Sequence, residues 1–113
     1  MSSGISAGPI GYTGFVHPSV KTTVARSSIG GASLIEALVV LHGDRADIGV
    51  ACNLQDNDRL LDFERGGRRV AGDLVLGDGS FTEHGVTFIG KVHVGQGCGT
   101  VINAVVQNAT IGD

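Results

Sequence analysis

The chain has 113 residues, with 19 glycines, four phenylalanines, one tyrosine, no tryptophan, two cysteines and a formal net charge of −3. That length is one small domain, residues 1–113. A 42% hydrophobic content excludes a disordered linker, and the mild acidity leaves no basic footprint for nucleic acid. Two cysteines build no disulfide framework, no apolar run is long enough to span a membrane, and glycine never recurs at every third position as collagen requires.

The first stretch, Met1 to Gly14, is small and polar and lacks the charged and apolar regions of a signal peptide. Residues 1–9 are read as a flexible or capping N-terminus, and the cytoplasm as the default compartment. From Ile10 onward an aliphatic–Gly pair recurs: Ile10-Gly11, Ile29-Gly30, Ile48-Gly49, Leu76-Gly77, Val94-Gly95 and Ile111-Gly112. Such self-similarity is the mark of a repeat architecture.

Within each interval an apolar residue or Thr falls every six positions: Ile29, Ile35, Leu41; Ile48, Leu54, Leu60; Leu76, Thr82, Phe88; Val94, Thr100, Val106. Four residues after each pair stands a small residue: Ser33, Cys52, Ser80 and Cys98. The expected object is an all-β parallel helix of about five coils. Each coil has three short strands, with the aliphatics pointing into a narrow core and the small residues at the corners. Glycine is expected there for its backbone freedom. A helical reading of Ala32 to Leu41 is weaker, because Gly30-Gly31 precede it and the spacing fits the coil.

The interval from Ile48 to Leu76 is longer by ten residues. The excess is placed at residues 61–75 as a charged loop thrown out of the prism, with Asp62, Glu64, Arg65, Gly66-Gly67, Arg68 and Arg69. Loops on repeat scaffolds carry function. Arg65, Arg68 and Arg69 are read as a solvated cluster, with an anion or partner contact as the alternative. Cys52 and Cys98 share one inward column with Ser80 between them. Two coil steps of about 4.8 Å exceed disulfide reach, so both are read as small buried residues.

The segment Ile48–Asn57, with Leu41–Ala46 one coil earlier and the final coils, resembles the γ-class carbonic anhydrases, from about Ile29 to Asp113. The specific part is Asn53-Gln55-Asp56 after a hexapeptide, preceded by Gly43-Asp44. The resemblance implies a left-handed β-helix assembled as a trimer, with zinc held between subunits by three His. Such zinc keeps an open position for water and lowers its pKa toward about 7. The three ligand positions fall on Leu61, His84 and Ile89, so one of three matches. Leu and Ile offer no lone pair.

Other candidate positions follow from the same resemblance. His42 replaces the Arg that joins subunits together with Asp44. His42, Asp44 and His84 are thus expected at an interface, and a His for an Arg makes that contact pH-sensitive. Gln55 and Asp56 match residues that line the site, with a polar corner as the other reading. Glu64 falls where the family carries proton-moving acids. A displaced zinc site using His42 of one subunit and His84 of another is the alternative. His93 is read as a solvent-facing turn residue, and His17 carries no signal.

The expectation is a γ-carbonic-anhydrase-like trimer without the usual zinc site, acting as a structural or assembly subunit. It is read as a homotrimer, a subunit of a larger complex, or a mixed trimer with a ligand-complete homologue. The short C-terminus, lacking the family's further coils and helix, leaves a bare strand edge that favours assembly. Two alternatives are an active CO2-hydrating enzyme with a rearranged site, and a hexapeptide acyltransferase, for which five coils are short.

Overall fold

A computed structural model of the chain describes residues 14–112. These form a parallel β-solenoid of about five turns, with no helix among the described residues. The strands in chain order are β1 (Phe15–Val16), β2 (Lys21–Ile29), β3 (Leu34–Ile35), β4 (Val40–Ile48), β5 (Asn53–Leu54), β6 (Arg59–Leu61) and β7 (Phe63–Arg65). They continue with β8 (Arg68–Val70), β9 (Asp73–Leu76), β10 (Phe81–Thr82), β11 (Thr87–Val94), β12 (Gly99–Thr100) and β13 (Val105–Ile111).

The two-residue strands β1, β3, β5, β10 and β12 stack as one sheet. Phe15, Leu34, Asn53, Phe81 and Gly99 stand in register along it. The longer strands β2, β4, β11 and β13 supply the other two runs of each coil. The chain turns within three of them at Gly43, Gly90 and Asn108, whose φ values of 137°, 73° and 44° break the extended run. In the third coil the same course is split. β6 carries the first part and β9 the second, and each pairs with both β4 and β11.

The ten extra residues leave the stack at this break. Leu61 belongs to β6 and Asp73 to β9. Between them β7 and β8 pair antiparallel, Phe63 with Val70 and Arg65 with Arg68, around the turn at Gly66-Gly67. Of the span 61–75, the part outside the solenoid is therefore a β-hairpin rather than an irregular loop.

The six-residue period fixes the interior. Ile29, Ile35, Leu41, Ile48, Leu54, Leu60, Leu76 and Phe88 are each at most 2% exposed. Val20, Val39 and Val86 form a further inward column, and Ala46, Leu74 and Val92 another. Burial of this apolar surface is the main force holding the coils in register. Ser33 and Ser80 sit in the small column, where their hydroxyls donate to the carbonyls of Gly49 (2.7 Å) and Gly95 (2.5 Å). A corner is the natural place for a small side chain that answers a backbone group left outside the ladder.

At Gly30 and Gly77 the glycine after the strand-start aliphatic has a reason other than backbone freedom. At Gly30 a Cβ would lie 2.6 Å from the backbone of Gly49, and at Gly77 2.6 Å from that of Gly95. Neither has a positive φ. Successive coils approach so closely at this corner that no side chain fits between them.

Candidate functional site

The position just outside the third inward residue of each coil forms an external column. It runs through Thr23, His42, Leu61, Ile89 and Gln107, by the registers Thr23 with His42, Leu41 with Leu60, and Leu61 with Ile89 with Gln107. Leu61 and Ile89 are thus cross-strand neighbours, both half-buried. They form an apolar step in a column that is otherwise polar.

His42 is held from both sides. Its Nδ1 lies 2.6 Å from Thr23 Oγ1 and its Nε2 3.2 Å from Asp62 Oδ2. A carboxylate only accepts, so Nε2–H donates to Asp62 and Nδ1 takes the Thr23 hydroxyl hydrogen. Asp62 is the anchor of this cluster. It accepts the Gly72 N–H at 2.8 Å and two bonds from Arg69 at 3.0 and 2.5 Å. Burial pushes its carboxyl up, but the Gly72 bond and Arg69 outweigh this and hold it below the usual carboxylate range. Glu64 lies on the exposed side of the same group, 3.7 Å from Arg69 Nε.

Asp44 does not join His42. It lies beyond the Gly43 turn and meets Arg26 at 2.9 Å. His93 is a strand residue rather than a turn residue. Its Nε2 lies 3.5 Å from Asp73, which also takes the Arg45 guanidinium at 2.8 and 3.3 Å. Burial works against ionisation of Asp73, but hydrogen bonds and charge from Arg45 and His93 prevail and lower its pKa.

His84 stands at a different corner. Its Nδ1–H donates to Asp56 Oδ1, and the Gly85 N–H donates to the Asp56 carbonyl at 3.1 Å. Gln55 precedes this pair, its backbone N–H donating to Thr82 Oγ1 at 3.2 Å. The structure therefore brings together Asp56 with His84, and His42 with Asp62, Arg69 and Glu64. No contact joins the two clusters among the described residues.

One acid is absent from any reading by motif. Asp58 is 1% exposed and occupies the inward column of Val20, Val39 and Val86. Its carboxylate accepts from the Thr82 hydroxyl and from the Val86 N–H at 2.7 Å. Burial raises its pKa to about 6, against the lowering effect of those bonds. The signal lies in the coil spacing, since 58 is 19 residues after Val39 and 28 before Val86.

The donors do not fit a zinc ion bound within one chain. No group of three His, Cys, Asp or Glu side chains is placed to hold a metal among the described residues. Cys52 is buried with its Sγ against the Gly77 carbonyl at 3.1 Å, and burial raises its thiol pKa. Both cysteines are free. No family model matches the chain, and no curated protein matches it.

Proposed function

We propose that this chain is a left-handed β-helix of the γ-carbonic-anhydrase type that works as a trimeric structural or assembly subunit rather than as a zinc hydratase. The observation that carries the reading is the direct pairing of Leu61 with Ile89. These are the two positions at which the resemblance calls for imidazoles. A zinc site needs lone-pair donors in tetrahedral array, and this pair presents only hydrocarbon. A half-buried apolar step on a sheet face suits packing against a neighbouring subunit instead. His84, the one matching ligand, gives its Nδ1–H to Asp56, which leaves Nε2 free but as a single imidazole per chain. One such donor holds no catalytic zinc.

The test is metal content together with mass in solution. Purified protein is expected to sediment as three chains with no stoichiometric zinc. About one zinc per subunit interface would overturn the reading. In that event loss of both metal and CO2 hydration in His84→Ala would establish the rearranged site with His42 instead. Zinc appearing only with a ligand-complete homologue would establish the mixed trimer.

A further inference from the structure

The hairpin of β7 and β8 stands outside the stacked coils of the solenoid. No residue from 62 to 71 belongs to the buried apolar core. Other coils make the same corner with a single glycine or asparagine, as Ile89-Gly90-Lys91 does. Yet the hairpin is firmly anchored. Asp62 ties its base to the Gly72 N–H and its second strand to the stack through Arg69. Phe63 lies against the Gly90 corner, where a Cβ would come 3.0 Å from Phe63 Cβ. An ordered insertion that adds nothing to the core invites a search for what it borders.

It borders an open groove of about 450 Å³. One wall is Phe63, Arg68 and Val70 from the hairpin, and the other comes from the last two coils with Lys91, Asn108 and Thr110. The volume is within the range of about 300–1,000 Å³ typical of small-molecule sites. No acidic residue lines it, although the chain has 11 acidic residues against 8 basic. Of the other arginines, Arg26 pairs with Asp44, Arg45 with Asp73 and Arg69 with Asp62, and Arg59 reaches the Thr87 hydroxyl, while Arg65, across the hairpin from Arg68, has no acidic partner among the described residues. Arg68 and Lys91 have no such partner among the described residues. Two unmatched cations beside a partly apolar cleft create a local positive potential in an acidic protein.

We propose that this groove binds a small organic anion, a carboxylate or phosphate ester carried on a short apolar body. The charged end lies between Arg68 and Lys91, and the body rests on Phe63 and Val70. Asn108 Oδ1 already accepts the Lys91 N–H at 3.1 Å, which leaves the Asn108 amide hydrogens and the Thr110 hydroxyl to donate to the ligand. The guanidinium suits either oxyanion, because its planar fork matches both. Both cations are exposed, so affinity falls with added salt. This site is independent of the zinc question.

The experiment is an NMR titration of the intact protein with phenylacetate and with phenyl phosphate. Inorganic phosphate and the neutral 2-phenylethanol serve as controls. Saturable shifts at Phe63, Lys91 and Thr110 are expected with at least one aromatic anion, and the tighter of the two assigns the charged group. Both controls are expected to bind at least about tenfold more weakly. Arg68→Gln and Lys91→Gln should each weaken binding by about tenfold, the loss of one charge-assisted contact. Deletion of residues 62–71 should abolish it while the β-sheet circular dichroism persists. Equal binding of inorganic phosphate would overturn the proposal, because it reports charge alone. So would absence of saturation, or undiminished binding in either charge variant or in a folded deletion variant.

Discussion

Asp58, the one buried acid among the described residues, accepts the hydroxyl hydrogen of Thr82 inside the solenoid. The two residues lie 24 positions apart, on successive coils, and each replaces an aliphatic of its own inward column. Asp58 answers the Thr82 hydroxyl, whereas Thr100, next to Thr82 in the same column, keeps a buried hydroxyl with no partner. A buried hydroxyl or carboxylate without a partner costs far more than a matched pair.

The pair makes stability depend on pH in an unusual direction. The Asp58 carboxyl is raised to about 6 in the folded state, by burial, against about 3.9 in an unfolded chain. The folded form therefore binds the extra proton, and stability falls as pH rises from about 4 through 6. Asp62 and Asp73, whose pKa values are lowered, contribute stability that is lost only below about pH 4. The melting temperature is expected to be higher at pH 5 than at pH 7 by several degrees. Asp58→Asn should flatten that slope, and thermal melts of both proteins across this range are the check.

Repair of the column gives a second outcome. Thr82→Val alone strands an oxygen of Asp58 and should cost about 1–3 kcal/mol at pH 7. With Asp58→Val added, the Val86 N–H can turn to the carbonyl three residues back, as Val20 and Ala104 do toward His17 and Val101. The double variant should then regain the part of the loss that comes from Asp58, while the Gln55 N–H stays without its Thr82 acceptor in both variants. Urea midpoints of the three proteins decide it, and additive losses would count against the coupling.

The sequence period made the solenoid legible because Ile35 and Leu41, Leu54 and Leu60, and Thr82 and Phe88 stand six residues apart within successive coils. It did not reveal Asp58, since a charged side chain hides a column that depends on apolar spacing. The resemblance put His42 and Asp44 at a contact between subunits and offered no partner for His42 within the chain. The Gly43 turn lies between them, and the next coil supplies Asp62 instead. The hairpin was visible as an excess of ten residues but not as strands. Phe63-Glu64-Arg65 buries no face, so it shows no alternation. Nothing local marks Arg68 and Lys91 as neighbours of one groove, because they are brought together only by the corner at Gly90.

The close approach at the glycine corner predicts a steep penalty. Gly77→Ala places a methyl group 2.6 Å from the Gly95 backbone, which cannot move without disturbing the neighbouring coil. The expected loss is about 1–3 kcal/mol, comparable to overpacking a core. Gly31→Ala, which meets nothing within 4 Å, should be within about 0.5 kcal/mol of the parent as an open surface change. Denaturant midpoints of the two single variants separate these cases.

The cysteines are expected to differ in reactivity while never pairing. Cys52 is 1% exposed with its thiol pKa raised, first by burial, whereas Cys98 is half-exposed. A thiolate is the reactive form, so native protein should release one equivalent of chromophore from an aromatic disulfide reagent quickly. The second should appear only on unfolding. Reducing agent should leave the melting temperature unchanged.

Removal of the hairpin tests whether the fold is set by the repeat alone. Deletion of residues 62–71 joins Leu61 to Gly72 and Asp73, which reproduces the Ile89-Gly90-Lys91 passage of the next coil. The registers of β6 and β9 with β4 and β11 need no change. What is lost is the Asp62 cluster, with its bonds to His42, Arg69 and Gly72. Arg69 is more than half exposed, and bonds to exposed partners contribute little each. The variant should fold to the same β-sheet spectrum with a melting temperature lowered by only a few degrees. A molten or unfolded product would mean that the insertion, not the hexapeptide period, holds the third coil in place.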